Sequence, residues 1–277
     1  MPELAEVETL KRYLEQYIKD MVITDYFQYR DNLRYQIASH FKENLISARI
    51  LDIKRRAKFL NLYLDNKHIL TYHLGMSGRL IFVSPDYKRK KHDHIIIECG
   101  NKGKLVFNDT RRFGMIYLTP ISEFDQQKFM INMGPEPLEA EFNAEYLFNT
   151  AQSRKIPIKN YIMDNKVLVG VGNIYAAESL FKAKIYPEVQ AHLLSFQQMS
   201  NLVIAIKEVL NAAIDNGGTT LRDFVSGDNK PGYFQQKLKV YGREGQACFI
   251  CDSIIQKLRQ AGRSSFFCPI CQQQNLE

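Results

Sequence analysis

Four of the five cysteines in the chain lie near its C-terminus with the spacing C-x2-C-x16-C-x2-C; they are Cys248, Cys251, Cys268 and Cys271. Two residues between paired thiolates allow a tight turn that directs both sulfurs at one ion, and two such pairs complete a tetrahedron. Because four thiolates leave no open coordination position, the pattern predicts one structural Zn²⁺ per chain and no catalytic metal. Two disulfides or four free thiols are the alternative, which the spacing disfavours.

The segment between the two cysteine pairs is basic, since it contains Lys257, Arg259 and Arg263. Four-cysteine ribbons also serve structural and protein-binding roles, but these cations favour contact with phosphate. The whole chain has a formal net charge of +7, which favours polyanionic partners such as nucleic acid or an anionic membrane surface. Together the charge and the ribbon suggest a protein that holds nucleic acid.

Pro2 is a second group with chemical potential. A small second residue usually permits removal of the initiator methionine, which would leave Pro2 with a free secondary amine. An α-amino group has a reference pKa of about 7.7–8.0, so a useful fraction is unprotonated at neutral pH. Amines of this kind act as covalent catalysts through Schiff bases. The alternative is a proline that simply begins a helix, and Pro2 by itself favours that alternative.

Apolar periodicity predicts the elements that position these groups. Residues 3–19 have the three- and four-residue spacing of an amphipathic helix. Short β-rich runs separated by turn residues then predict an antiparallel sandwich. These runs are 22–29, 45–54, 59–65, 68–74, 79–83, 94–98, 104–108 and 115–118.

A Gly-Pro-Glu-Pro break at 134–137 predicts a linker at 131–138, after a first domain at 1–130. Helical periods follow at 146–151, 158–163, 174–181 and 196–214, with Ser195 as the N-cap of the last helix and Gly217 at its end. We predict a helical domain over 139–235 and a zinc finger over 239–273.

Neither a signal peptide nor an 18-residue apolar segment is recognisable, so we expect a cytoplasmic protein without a membrane partner. The fifth cysteine, Cys99, ends an apolar run and is predicted to be a core thiol.

Three segments together resemble the formamidopyrimidine-DNA glycosylase family of bacterial base-excision enzymes: MPELAEVET at the start, VGVGNIYAAESLF at 169–181, and the four-cysteine ribbon. The similarity continues in the family's order through RRAKFL, HLGMSGRL, KHDHI, DTRRFG, MGPEPL and GGTTLRDF. It implies an α+β fold, in which an N-terminal helix and β-sandwich precede a helix–two-turn–helix domain and a β-hairpin zinc finger. It also implies a monomer that binds damaged double-stranded DNA and has zinc as its one cofactor.

The resemblance implies four catalytic residues. Pro2 would be the nucleophile at the sugar C1′, and Glu3 would donate a proton to the opened sugar. Lys58 would be an active-site proton donor for β-elimination, and Arg263 the donor for δ-elimination. Taken alone, Glu3 also fits a helix-start acid and Lys58 a solvated basic edge.

Seven further residues would contact DNA. Met76, Arg111 and Phe113 match the family's wedge, which fills the gap left when a damaged base is flipped out. His92, Arg154, Lys159 and Asn173 match its backbone contacts, and Asn173 could also cap the helix that follows. Core packing is the alternative for Met76 and Phe113, and a surface position for His92.

Two positions depart from the family pattern, because Ala5 and Thr110 stand where proline is usual. Thr110 precedes Arg111 and puts the rigidity of the wedge loop in doubt. We predict the mobile lesion-capping loop at 217–235. Two alternatives to an oxidised-purine glycosylase remain: an endonuclease VIII-type glycosylase for oxidised pyrimidines, whose start usually resembles PEGPE, and a non-catalytic zinc-ribbon DNA-binding protein.

Overall fold

A computed structural model describes residues 2–38, 40–219 and 234–273, apart from the side chain of Gln235. The chain forms two compact units, one of Met1–Ile131 and Asn216–Gln235 and the other of Asn132–Asp215 and Gln236–Glu277. The first boundary falls inside the predicted linker. Residues 216–219, which the sequence pattern predicts within the helical domain, group with the first unit, where Thr219 hydrogen-bonds to Glu6.

The first unit is a sandwich of two four-stranded antiparallel sheets. Its helices are α1 (Leu4–Ile18) and α2 (Phe41–Leu45), and its strands are β1 (Asp25–Gln28), β2 (Ile50–Arg56), β3 (Phe59–Leu64), β4 (His68–His73), β5 (Gly78–Val83), β6 (Asp93–Glu98), β7 (Lys104–Asp109) and β8 (Met115–Pro120). One sheet has the strand order β1-β6-β7-β5 and the other β2-β3-β4-β8. All eight predicted strands are present, although the run predicted at 45–54 begins in α2.

The core of this unit lies between the sheets and is closed by α1. The apolar residues that face it from the helix are spaced three or four apart: Val7, Leu10, Leu14 and Ile18. The helix contacts β2 and β5, which are edge strands of the two different sheets. Burial of each large aliphatic side chain contributes about 1.5–3 kcal/mol. This packing fixes where the chain start lies on the sandwich.

Within the described residues, the second unit combines four α-helices with a β-hairpin. The helices are α3 (Ala144–Ala151), α4 (Ile158–Ile162), α5 (Asn173–Lys182) and α6 (Phe196–Asp215), and the hairpin pairs β9 (Gln256–Gln260) with β10 (Arg263–Phe267). Ser195 caps α6 as predicted, since its hydroxyl accepts the backbone N–H of Gln198 at 3.2 Å and its own N–H donates to the Gln198 side chain at 2.8 Å. Among the described residues, no helix has the length and apolarity to cross a membrane.

Candidate active site

The four paired cysteines converge on one point. Their Sγ atoms all lie within 4.8 Å of one another. The Sγ–Sγ distance is 3.9 Å between Cys248 and Cys271, and 3.4 Å between Cys251 and Cys268. Tetrahedral zinc with Zn–S bonds of about 2.3 Å requires sulfurs about 3.8 Å apart. The donor set therefore fits one structural zinc ion with no ligand position left for chemistry.

The zinc finger is built into the helical unit rather than attached by a loose strand. Its buried core is one cluster of residues from α5, the connecting segment and the finger: Ala177, Phe181, Val240, Cys248, Ile255 and Cys268. The carboxylate of Glu178 also accepts the backbone N–H groups of Lys239, Val240 and Tyr241 at 2.8–3.0 Å. Burial raises the pKa of Glu178 although these three hydrogen bonds oppose the shift. The entry of the chain into the finger is thus held by α5.

Lys159 has a different environment from the one predicted for a phosphate ligand. Its residue surface is only 2% exposed, and its Nζ donates to Asn173 Oδ1 at 2.6 Å, Ser264 O at 3.0 Å and Ser265 Oγ at 2.6 Å. These three acceptors match the three hydrogens of the ammonium group. Lys159 therefore joins α4 to α5 and to the finger hairpin.

Asn173 belongs to the same network. Its Oδ1 accepts from Lys159, and its Nδ2 donates to the carbonyl of Ser264 at 2.9 Å. The N-cap of α5 is Gly172, and the Asn173 side chain does not cap the helix. The capping prediction was wrong, because the amide is already engaged by the finger.

Arg263 begins β10 directly after a two-residue hairpin turn. The turn residues Ala261 and Gly262 both have positive φ, 44° and 78°, as a type I′ turn requires. Arg263 is exposed, while its neighbour Ser264 is tied through its carbonyl to Lys159 and Asn173. The Lys159 network thus fixes the backbone beside an exposed guanidinium.

Pro2 lies just outside the first helix. The helix begins at Leu4 with Glu3 as its N-cap, so Pro2 precedes the cap and is not the first helical residue. The proline ring is buried. Pro2 therefore does not occupy the first helical position that the helix-start alternative assigns to it.

Glu6 organises the start of this helix. Its Oε2 accepts the backbone N–H of the buried Glu3 at 2.8 Å. Its Oε1 accepts both the N–H and the hydroxyl of Thr219 at 2.8 Å. One buried carboxylate thus connects the residue after Pro2 with the first part of the segment predicted to form the lesion-capping loop. Most of that predicted loop, 220–233, lies outside the described residues.

Lys58 occupies the tip of the β2–β3 hairpin. Arg56 pairs with Phe59, so Ala57 and Lys58 form a two-residue turn in which Ala57 has a φ of 54°. Burial lowers the pKa of His73 to about 4, and the nearby charges of Lys58 and Arg34 add to the shift. His73 is therefore neutral at physiological pH. Sequence reasoning did not single it out, although it is the first residue of the segment HLGMSGRL.

The three predicted wedge residues are exposed on two neighbouring loops. Met76 lies between β4 and β5, and Arg111 and Phe113 lie between β7 and β8. The Arg111 guanidinium carbon is 5.1 Å from the centroid of the Phe113 ring. Their exposure argues against the core alternative for Met76 and Phe113. The buried carboxylate of Asp109, which sequence reasoning did not single out, accepts hydrogen bonds from both loops.

The two remaining predicted DNA contacts are on separate units. His92 is half-buried before β6, and its backbone carbonyl accepts the N–H of Asp109 at 3.0 Å. Arg154 is exposed in the loop between α3 and α4.

Comparison with known proteins agrees with this organisation. Residues 1–116 match the family model of the formamidopyrimidine-DNA glycosylase N-terminal domain, 133–225 its H2TH domain, and 245–274 a zinc finger found in FPG and IleRS. Formamidopyrimidine-DNA glycosylase of Rickettsia conorii is 50% identical over 272 residues, which are 98% of this chain and 99% of the relative.

Two solved structures share the fold over almost the whole chain. Lactococcus lactis Fpg in complex with abasic-site DNA is 32% identical with a TM-score of 0.91, covering 98% of this chain and 100% of that one. MutM in complex with DNA containing carbocyclic 8-oxo-G is 33% identical with a TM-score of 0.91, covering 99% and 100%.

The sandwich, the helix–two-turn–helix unit and the four-cysteine finger define a DNA glycosylase of base excision repair that binds DNA and one structural zinc ion. The resemblance and the fold class inferred from the sequence are confirmed. The chain belongs to the formamidopyrimidine-DNA glycosylase family.

Proposed function

We propose that this glycosylase removes oxidised purines from duplex DNA and then cleaves the strand by β- and δ-elimination, using Pro2 as its nucleophile. The observation that carries the proposal is the position of Pro2, buried immediately before the N-cap of α1 and next to the buried carboxyl of Glu3. A secondary amine at this position can form a covalent adduct with the sugar. A proline with only a structural role would not form such an adduct.

The chemistry assigns one step to each group. The Pro2 nitrogen lone pair forms a bond to C1′ while the bond to the base breaks and the base leaves with a proton. Glu3 donates a proton to O4′ as the sugar ring opens, which leaves an iminium. That fixed cation draws electrons when water takes a C2′ proton and the C3′–O bond breaks, and Lys58 donates a proton to the departing 3′-phosphate. Arg263 is then the donor for δ-elimination, in which the 5′-phosphate leaves. Its planar guanidinium can bind that phosphate bidentately.

The substrate class rests on the relatives. The family name specifies formamidopyrimidines, and one solved relative carries an 8-oxoguanine analogue while another carries an abasic site. We propose both purine lesions as substrates. Met76, Arg111 and Phe113 would fill the gap after flipping, and His92, Arg154 and Asn173 would contact the DNA backbone. We also propose that the enzyme acts as a monomer in the cytoplasm.

Borohydride trapping on abasic-site duplex tests the covalent step. Protein whose methionine removal is verified by mass spectrometry should form an adduct with one DNA strand. A chain with an uncleaved N-terminal extension keeps the proline ring but lacks the free amine, so it should form none. Trapping by the extended chain at the rate of the processed one would refute Pro2 as nucleophile, and the Pro2→Gly variant would show whether the secondary amine matters.

The same preparation separates the alternatives. Faster excision from an 8-oxoguanine duplex than from a thymine-glycol duplex supports the proposal, whereas the reverse order identifies an endonuclease VIII-type enzyme. Tight DNA binding without any adduct or excision would identify a non-catalytic DNA-binding protein.

A further inference from the structure

We infer that Asp109 is a positioning residue that joins the two wedge loops, so that Met76, Arg111 and Phe113 enter the DNA stack as one preassembled unit. The inference rests on the proposed function, because it assumes that these three side chains fill the gap left by a flipped base. It assigns the assembly of the wedge to a carboxylate that is itself buried and does not touch DNA.

The hydrogen bonds of Asp109 reach both loops. Its Oδ1 accepts from the hydroxyl of Ser77 at 2.6 Å, one residue after Met76. The N–H of Arg111 is shared between Ser77 Oγ at 3.0 Å and the same Oδ1 at 3.2 Å. Oδ2 accepts the N–H of Gly114 at 2.7 Å, one residue after Phe113. Each wedge residue is therefore at, or adjacent to, a group held by this carboxylate.

The loops also fit against each other without room for adjustment. A Cβ added to Gly75 would lie 2.4 Å from the carbonyl carbon of Phe113 and 2.6 Å from the nitrogen of Gly114, and Gly75 has a φ of +62°. Such distances are far inside van der Waals contact. The backbone of Gly75 therefore packs directly against the backbone of Phe113 and Gly114. The two loops therefore pack as one surface, and the buried Asp109 carboxylate hydrogen-bonds to both of them.

Asp109 is anchored in the sheet from which the loops extend. It ends β7 and is fully buried, its N–H donates to the carbonyl of His92 at 3.0 Å, and its carbonyl oxygen lies 2.8 Å from Nε2 of His94. The carboxylate therefore fixes the two exposed loops relative to strand β7. This anchoring offsets the substitution of Thr110 for the usual proline, since the flanking residues are held by hydrogen bonds.

A wedge held in this way lowers the entropy cost of insertion. Flipping a base out of the duplex costs unstacking energy, which the inserted side chains must offset. Ordering a mobile segment on binding costs conformational entropy, so wedge residues on loops that are already held in place retain more of their contact energy. The benefit applies to duplex DNA, where a gap must be filled, and not to single strands.

The test compares Asp109→Asn with Thr71→Val. An amide accepts at only one end, so the NH₂ of the variant must face either the Gly114 N–H or the Ser77 and Arg111 donors. Thr71 is equally buried and donates one hydrogen bond to Asn61 at 2.9 Å within the other sheet, which makes its replacement a matched stability control. Ser77→Ala removes one bridging hydroxyl and provides a milder variant should Asp109→Asn not fold.

We expect Asp109→Asn to lower kcat/KM for excision of 8-oxoguanine from duplex DNA roughly 10- to 100-fold, the range of one to two unpaired buried donors. Strand cleavage at a preformed abasic site in single-stranded DNA should change less than about twofold. 2-Aminopurine opposite the lesion should lose its enzyme-induced fluorescence change. Ser77→Ala should show the same pattern at smaller amplitude, and Thr71→Val should leave both activities intact.

Equal loss on duplex and single-stranded substrates, or an unimpaired duplex reaction, would overturn the positioning role. The same holds if Thr71→Val reproduces the split between the two substrates. Failure of the proposed function is recognised separately, because the unmodified enzyme would then form no Pro2 adduct and excise no base.

Discussion

Arg55 joins the first helix to the Lys58 hairpin through Glu8. Its Nε donates to Glu8 Oε2 at 2.9 Å, and its Nη1 donates to the carbonyl of Ala57 at 3.2 Å. Burial opposes ionisation of Glu8, but hydrogen bonds and charges from Arg55 and Arg12 hold its pKa below the ordinary value of 4.5. The guanidinium thus connects the helix that follows Pro2 with the peptide that precedes Lys58.

We predict that Arg55→Lys lowers the rate of β-elimination about tenfold. A lysine ammonium cannot reproduce the guanidinium geometry that reaches both Glu8 and the carbonyl of Ala57. The matched control is Arg12→Ala. Arg12 pairs with the same carboxylate at 3.2 Å, but its side chain is 57% exposed against 10% for Arg55. Single-turnover cleavage of abasic-site DNA measures the effect, and similar losses in both variants would contradict a specific role for Arg55.

Replacing Lys159 by methionine should destabilise the second unit by about 2–4 kcal/mol, since buried acceptors on Asn173, Ser264 and Ser265 lose their donor. A phosphate ligand would behave differently, because its loss reduces the salt slope of DNA affinity by about one. We expect Lys159→Met to lower the melting temperature while leaving this slope unchanged. The exposed Arg154, replaced by alanine, should change the slope without changing stability; the opposite assignment would restore Lys159 as a DNA contact.

Zinc removal should abolish DNA binding while the β-sandwich remains folded. The finger core contains Cys248 and Cys268 together with Phe181 and Val240, so we also expect α5 to lose packing. Fluorescence anisotropy with labelled duplex follows binding during chelation, and hydrogen exchange follows each unit. Simultaneous loss of protection in β3 and β4 would contradict the independence of the sandwich.

His73 should make stability depend on pH between about 4 and 6.5. Its pKa is lowered to about 4 in the folded protein from 6.5, so the unfolded chain binds more protons in this window and stability falls as pH falls. The full shift corresponds to roughly 3 kcal/mol. Chemical denaturation of His73→Gln across this range should show a flatter profile. His40→Gln is the control, because His40 is exposed, and an equal flattening there would contradict the assignment.

The elements of this fold were predictable because their signals are local. Short β-rich runs bounded by turn residues predicted every strand of the sandwich, and thiol spacing alone predicted the zinc site. The partners of buried polar groups were not predictable, since they depend on tertiary contacts. Lys159 donates to Ser265, which is 106 positions away, and no local pattern in the sequence signals that contact. Asp109 was overlooked for the same reason, because its role depends on Ser77, 32 positions earlier.

The hydrogen bonds of Glu6 set an order of events during synthesis. The Glu6 carboxylate gains its hydrogen bonds to Thr219 only when a residue 213 positions later has been made, after helices α3 to α6. At about 5–20 residues per second, ribosomes need roughly 10–40 s to cover that interval. We therefore expect the nascent chain to lack the Glu6–Thr219 hydrogen bonds throughout this time, so that the proposed Pro2 site is completed only after helices α3 to α6 have been synthesised.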